Sequence, residues 1–195
     1  MSQEYPEGWE VLYLQAEIAE VTANLVEEIS KVEEISKKQV VLVQILESAK
    51  IFTENLRLGL IAKNISVRVE SIKASSYKGK PGEQSNLKIS GLENIKLFEN
   101  EIIFVVDDMV DSGNTMKETI EQIKAMANSA PVFSTVLLQK ICSTFTPHFA
   151  AIRNCPDRWV AGYGINGNSP NELGEADGRN LPDIIAKIQA TPKLQ

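Results

Sequence analysis

Three carboxylates fall within five positions at Asp107, Asp108 and Asp111, and the last opens the run Asp111-Ser112-Gly113-Asn114-Thr115. Paired acids suit sugar hydroxyls, whose protons they accept, or a divalent cation, for which they are hard oxygen donors. The run that follows combines turn formers with helix-capping residues. Ahead of it, Ile102 to Val106 is a short, β-branched apolar run of the kind that fills a strand buried on both faces. Behind it, Ile120, Ile123 and Met126 recur at helical spacing within Met116 to Met126. The order is strand, acidic turn, helix start, the junction at which open α/β sheets bind ligands. A helix N-terminus offers unpaired N–H groups and positive dipole charge, and Gly113 lets backbone approach a phosphate closely. The hydroxyls of Ser112 and Thr115 add donors. A lone D-S-G would only cap a helix; the whole run carries chemistry.

Composition narrows the classes around that turn. At 195 residues, with 43% hydrophobic and 24% charged, the chain is expected to be one domain with a substantial core. A formal net charge of −6 argues against general binding of nucleic acid or an anionic membrane. Two cysteines, Cys142 and Cys155, make neither a disulfide framework nor a zinc site, and the single His148 adds no ligand cluster. They fit thiols in a reducing compartment. With no secretory pattern and no apolar run of membrane-spanning length, a cytoplasmic protein is expected.

The elements that must position the turn can be taken in order. Residues 1–9 are expected to be a loose arm pinned by Trp9, followed by a short strand over Glu10 to Leu14. Gln15 to Lys31 places Ile18, Val21, Leu25 and Ile29 on one helical face. Gln39 to Leu46 (QVVLVQIL) is a buried strand, Glu47 to Lys50 a turn, and Ile51 to Ile61 a helix with Phe52, Leu56 and Leu60 on one face. A strand over Ser66 to Tyr77, a flexible segment around KGKPGEQS and a returning strand over Leu87 to Gly91 come next. Pro131 to Gln139 is a strand ending at Lys140, and Pro147 to Ile152 and Arg158 to Tyr163 are short apolar runs. Residues 166–180 read as a long loop and Pro182 to Ala190 as a closing helix. Strands alternating with helices predict an α/β fold, mainly a parallel sheet with helices on both faces, plus a small accessory lobe.

The run VVDDMVDSGNT closely resembles the phosphoribosyl-pyrophosphate signature of type I phosphoribosyltransferases. The resemblance implies that Asp107 and Asp108 hold ribose hydroxyls and Mg²⁺, and that Asp111 to Thr115 cradle a 5′-phosphate. It also implies that Asp111 is the base that manages the purine proton. Val136 to Lys140 resembles the strand that ends in the base-recognising lysine of hypoxanthine-guanine enzymes. An ammonium there donates to the exocyclic oxygen of a 6-oxopurine and matches adenine's amino group poorly. In Cys155-Pro156-Asp157-Arg158-Trp159-Val160-Ala161-Gly162-Tyr163-Gly164-Ile165-Asn166, Trp159 takes the position that stacks on the purine, and Val160 the one whose backbone reads the base edge. Arg179-Asn180-Leu181-Pro182 resembles the stretch whose arginine faces pyrophosphate. Ser76 and Tyr77 match a Ser-Tyr pair on a lid, here residues 76–86, that keeps water from a reactive intermediate.

The likeness spans roughly residues 10 to 185, and the chain departs from it in three places. Leu46-Glu47-Ser48-Ala49 stands where relatives have a basic residue, Gly and a small residue, so Glu47, Ser48 and Ala49 would border pyrophosphate. The loop between Asn166 and Arg179 is longer than usual. Asn166 replaces an aspartate that meets a second magnesium ion. The expected function is phosphoribosyl transfer from phosphoribosyl pyrophosphate to a 6-oxopurine, in a homodimer or homotetramer without nucleic acid or membrane partners. The altered pyrophosphate turn makes a non-catalytic nucleotide-binding regulator the alternative. An RNA-binding regulator of the same fold is disfavoured by the negative charge and by the Lys140/Trp159 pair.

Overall fold

In the computed structural model residues 5–77, 86–166 and 178–188 are described, with the backbone alone for Ser76, Tyr77 and Asn86, and they form two sheets. The first strand, β1 (Trp9–Tyr13), leads into helix α1 (Gln15–Ile29). Then come β2 (Gln39–Leu46), α2 (Lys50–Ala62), β3 (Val67–Tyr77) and β4 (Asn86–Ser90). β5 (Glu101–Val110), α3 (Asn114–Met126), β6 (Val132–Lys140) and β7 (Phe149–Cys155) complete the larger sheet and its cover. Its order is β4-β3-β2-β5-β6-β7, parallel except for the β3–β4 hairpin. β8 (Val160–Ala161) and β9 (Ile184–Lys187) join β1 in an antiparallel sheet of order β1-β9-β8.

Continuous apolar runs in β2 and β5 are explained by burial on both sides. Val40, Leu42, Ile102, Phe104 and Val106 share a cluster with Ile18, Leu25 and Ile29 of α1 and Phe52, Leu56 and Leu60 of α2. The alternate residues Val41, Val43, Ile103 and Val105 pack with Met116, Ile120 and Ile123 of α3. Successive strand side chains point to opposite faces, so helices must cover both. At the N-terminal end of β5, buried Glu101 accepts from Arg68 Nε at 3.0 Å and from the Phe98 N–H at 2.8 Å, which fastens the edge remote from the acids. Because β2, β5 and β6 run parallel, their C-terminal ends share one rim. That rim carries Glu47 to Ala49, Asp107 to Thr115 and Lys140.

The smaller sheet is tied together by long-range polar contacts. Arg158 donates from Nη2 to the Lys187 carbonyl at 2.7 Å and from Nη1 to Glu10 at 2.7 Å. Asp183 accepts from the Tyr5 hydroxyl and from the Gln15 N–H at 2.6 Å, so a residue near the chain's far end satisfies the start of α1. From Tyr5 onward the expected loose arm is thus fastened, and Trp9 is buried. The predicted closing helix over Pro182 to Ala190 is corrected: Ile184–Lys187 is a strand, with Ile184, Ile185 and Ala186 fully buried. Lying between β1 and β8, it gains partners on both edges, and that tertiary pairing outweighs any local helical tendency.

Candidate active site

The ladder of β5 continues through the acids, with Asp107 opposite Val136 and Val110 opposite Gln139, so Asp107 and Asp108 belong to the strand itself. α3 begins at Asn114, with Gly113 at φ +90° as the residue before it. A Cβ at 113 would stand 2.1 Å from the Phe145 Cβ, so both the backbone angle and the packing require glycine. The Lys117 N–H donates to the Gly113 carbonyl at 2.9 Å, which closes the first helical turn. Asp107, Asp111, Ser112, Gly113 and Thr115 line one cavity of about 100 Å³. The N–H groups at the start of α3 belong to this turn and have no intrahelical acceptors.

Burial holds the Asp107 carboxyl well above the ordinary carboxylate range, and the adjacent Asp108 charge adds to it. The Asp108 N–H, donating to Asp107 Oδ1 at 3.0 Å, offsets only part of that. Burial also raises Asp108, against hydrogen bonds from the Asp107 side chain, the Met109 backbone and the Ser48 hydroxyl. Two adjacent carboxylates away from water favour either a shared proton or a bound cation. Ser48 thereby links the turn after β2 to the acids at the end of β5.

On the other side of the turn, Lys140 is buried and its Nζ lies 3.8 Å from Asp111 Oδ2 and 3.5 Å from Asp157 Oδ1. The Cys142 thiol donates to Asp111 Oδ1 at 3.5 Å and faces Asp157 as well; local desolvation, then those two acids, push the thiol up. Thr144 Oγ1 donates to the Ser112 carbonyl at 3.2 Å. Trp159 keeps nearly half of its surface exposed. Its carbonyl accepts from the Lys187 N–H at 2.9 Å, while Val160 stands opposite Ala186. That alternation makes Val160 a non-hydrogen-bonded position whose N–H and C=O turn away from β9. As β8 is an edge strand, those groups face out of the sheet.

The residues expected around pyrophosphate meet at Gly164. Its N–H donates to the Arg179 carbonyl at 2.9 Å, and a Cβ there would stand 2.8 Å from the Ser48 carbonyl oxygen. Glu47 is exposed, the Leu46–Glu47 peptide is cis, and Ala49 is fully buried at the start of α2. Asn166 is half-buried two residues beyond Gly164, and the loop that follows lies outside the described residues up to Gly178. Ser76 and Tyr77 end β3, paired with Leu87 and Asn86, and their side chains lie outside the described part, as do residues 78–85 of the expected lid.

Three residues near the turn had no role in the sequence reading: Asp157, Cys142 and Phe145. Asp157 stands two positions before Trp159, inside a segment already singled out, which was the available signal. Nothing local marks Cys142 or Phe145, because what matters is the return of residues 141–147 against Asp111 to Gly113.

The model of the phosphoribosyl transferase domain family matches residues 9–167. The chain is 32% identical over 152 residues to the hypoxanthine-guanine phosphoribosyltransferase of Aquifex aeolicus, covering 76% of this chain and 78% of that protein. To the enzyme of the same name from Dictyostelium discoideum it is 28% identical over 131 residues, 67% of this chain and 71% of that one. A solved structure of the hypoxanthine phosphoribosyltransferase of Trypanosoma cruzi, in complex with its product IMP, superposes with a TM-score of 0.75 over the full length of both chains at 22% identity. At that identity the superposition speaks for the fold.

Proposed function

The chain belongs to the phosphoribosyl transferase family, and on that premise we propose how its residues transfer a phosphoribosyl group from phosphoribosyl pyrophosphate to a 6-oxopurine. The observation that carries the reading is the meeting, on one rim, of the acid pair, the phosphate turn and a buried lysine 3.8 Å from Asp111. Ser112 to Thr115 bind the 5′-phosphate through backbone N–H groups and hydroxyls. Asp107 and Asp108 accept from the ribose hydroxyls. Lys140 donates to the 6-oxygen, Trp159 stacks on the ring, and the outward backbone of Val160 reads the base edge. Asp111 takes the proton from the attacking purine nitrogen. That nitrogen's electron pair bonds to C1′ as the C1′–O bond breaks and its pair departs with pyrophosphate. Glu47, Ser48, Ala49 and Arg179 border the departing group, and the lid carrying Ser76 and Tyr77 keeps water from the ribosyl centre.

The donor set fits Mg²⁺: Asp107, buried, and Asp108, half-buried, are adjacent hard oxygen donors, and among the described residues neither forms an ion pair with a basic side chain. When bound there the ion neutralises charge on the diphosphate side of the substrate. Asn166 offers an amide oxygen for a second ion, a weaker donor than a carboxylate. Exposed Ile51, Leu58 and Ile61 on α2 suit the expected homodimer or homotetramer. No described helix is long and apolar enough to cross a membrane.

The test is direct. The protein is mixed with phosphoribosyl pyrophosphate, Mg²⁺ and one base at a time, and released pyrophosphate is measured. Release with hypoxanthine or guanine, far less with adenine and none with orotate, is the expected result. IMP binding without any release would select the regulator.

A further inference from the structure

Two carboxylates, a buried ammonium and a thiol form a closed ring at the base side of the cleft. Lys140 Nζ lies 3.5 Å from Asp157 Oδ1 and 3.8 Å from Asp111 Oδ2, and the Cys142 thiol faces both acids. The candidate ligand atoms of Asp111, Cys142 and Asp157 all lie within 4.8 Å of one another, a spacing that a metal ion could use. The ammonium already supplies the positive charge there. We propose that Asp157 is a positioning residue that aims Lys140 at the 6-oxygen of the purine and thereby sets the preference for oxopurines over aminopurines. This rests on the transfer reaction proposed above.

Lys140 is buried along its stem, so only its ammonium can be redirected. With Asp111 as its one anionic neighbour, the ammonium would be drawn wholly to the acid that must receive the purine's proton. That pairing would occupy the base and turn the donor away from the substrate. Asp157, beside Asp111, divides the pull, and an ammonium with three N–H groups can serve both acids and still present one to the cleft. The Cys142 thiol donates to Asp111 at 3.5 Å and lies beside Asp157.

Asp157 is held in place by structure around it. Lys140 stands opposite Cys155, and the Ile141 N–H donates to the Cys155 carbonyl at 2.8 Å, so the exits of β6 and β7 lie side by side. The Arg158 N–H donates to the Pro156 carbonyl at 2.8 Å, and the Arg158 side chain is anchored to Lys187 at 2.7 Å and Glu10 at 2.7 Å. These anchors fix the backbone that carries Asp157 beside Lys140. Asp157 itself is exposed, so Asp157→Asn removes a charge and leaves the packing intact.

The experiment compares wild type, Asp157→Asn and Asp157→Glu by calorimetry with two probes, inosine monophosphate and ribose 5-phosphate. Ribose 5-phosphate uses the turn and the acid pair and never reaches Lys140. A charge-assisted contact to a buried partner supports a weakening of inosine monophosphate binding in Asp157→Asn of about five- to tenfold. Ribose 5-phosphate affinity and the KM for phosphoribosyl pyrophosphate should stay unchanged, Asp157→Glu should restore part of the loss, and the hypoxanthine-to-adenine ratio of kcat/KM should fall by a similar factor. Equal weakening of both probes, or no change in either, overturns the positioning role. A wild type that binds inosine monophosphate no better than ribose 5-phosphate overturns the base-site reading itself.

Discussion

On the proposed phosphate side, nine consecutive residues, Asp107 to Thr115, supply three acids, a tight turn and a helix start. On the proposed base side, Lys140, Asp157 and Trp159 lie at or just beyond the ends of two strands, Val160 lies in β8, and the neighbouring Arg179 comes from a further segment. The first half is shaped by one strand–turn–helix unit and a single glycine. The second is shaped by a small sheet whose clamps join residues 148 positions apart, Arg158 and Glu10, and 178 apart, Tyr5 and Asp183. The phosphate half should therefore respond to changes in its own side chains, and the base half to changes in packing well away from the ligand.

Gly162→Ala should give the largest effect. Gly162 has φ +101°, and a Cβ there would stand 1.9 Å from the Asp183 carbonyl oxygen, backbone that cannot give way cheaply. A cost of about 3 kcal/mol is expected from the clash and the left-handed angle together. Denaturant unfolding would measure it. Inosine monophosphate binding should weaken while ribose 5-phosphate binding is retained, and an equal loss of both would show that the two halves are not separable. Asp108→Ala, or Thr115→Ala, should do the reverse. Both probes should weaken by about tenfold to a hundredfold, the range of a lost charged hydrogen bond, with unfolding still cooperative. Unchanged calorimetric affinities in both variants would reduce the motif to a helix cap.

Glu47→Lys sharpens the comparison on the pyrophosphate edge. Glu47 is exposed, so salt and solvent weaken its repulsion of a second anion, and the gain should be about two- to fivefold in KM for phosphoribosyl pyrophosphate. Inosine monophosphate affinity should not move, since that ligand has no pyrophosphate. A raised KM would make Glu47 a working ligand. The smallest effect belongs to His148, on the far side of β6. Burial, then Lys124, pulls its imidazole below the ordinary 6.5, and its Nδ1 accepts from the Ser134 N–H at 3.0 Å. The unfolded chain thus binds a proton there more readily than the folded one, so stability is present above pH 6.5 and is lost as pH falls through the lowered value. Melting curves should show a shallow fall below that pH, absent in His148→Gln, with no change in ligand affinity.

The phosphate half could be read from the sequence because every part of it is a neighbour of every other along the chain. Ile102 to Val106 announced the strand, Gly113 the turn, and Ile120 and Ile123 the helix, and the structure differs in drawing the acids into the strand and in starting the helix at Asn114. The smaller sheet could not be read in the same way. β8 is two residues long and finds its partner in β9, and β9, which reads locally as a helix, finds its other partner in β1 from the far end of the chain.

For the site, the sequence by itself determined which groups are present: the acids, the glycine that a left-handed turn needs, and the lysine at a strand end. These follow from residue type and from periods of two and 3.6, which are local properties. Only the tertiary structure decided that Asp157 and Asp111 share one ammonium, that Phe145 closes on Gly113, and that Ser48 touches Asp108. Each of these contacts joins segments brought together by sheet order. Strand pairing fixes that order through backbone hydrogen bonds and burial, which no window along the chain contains.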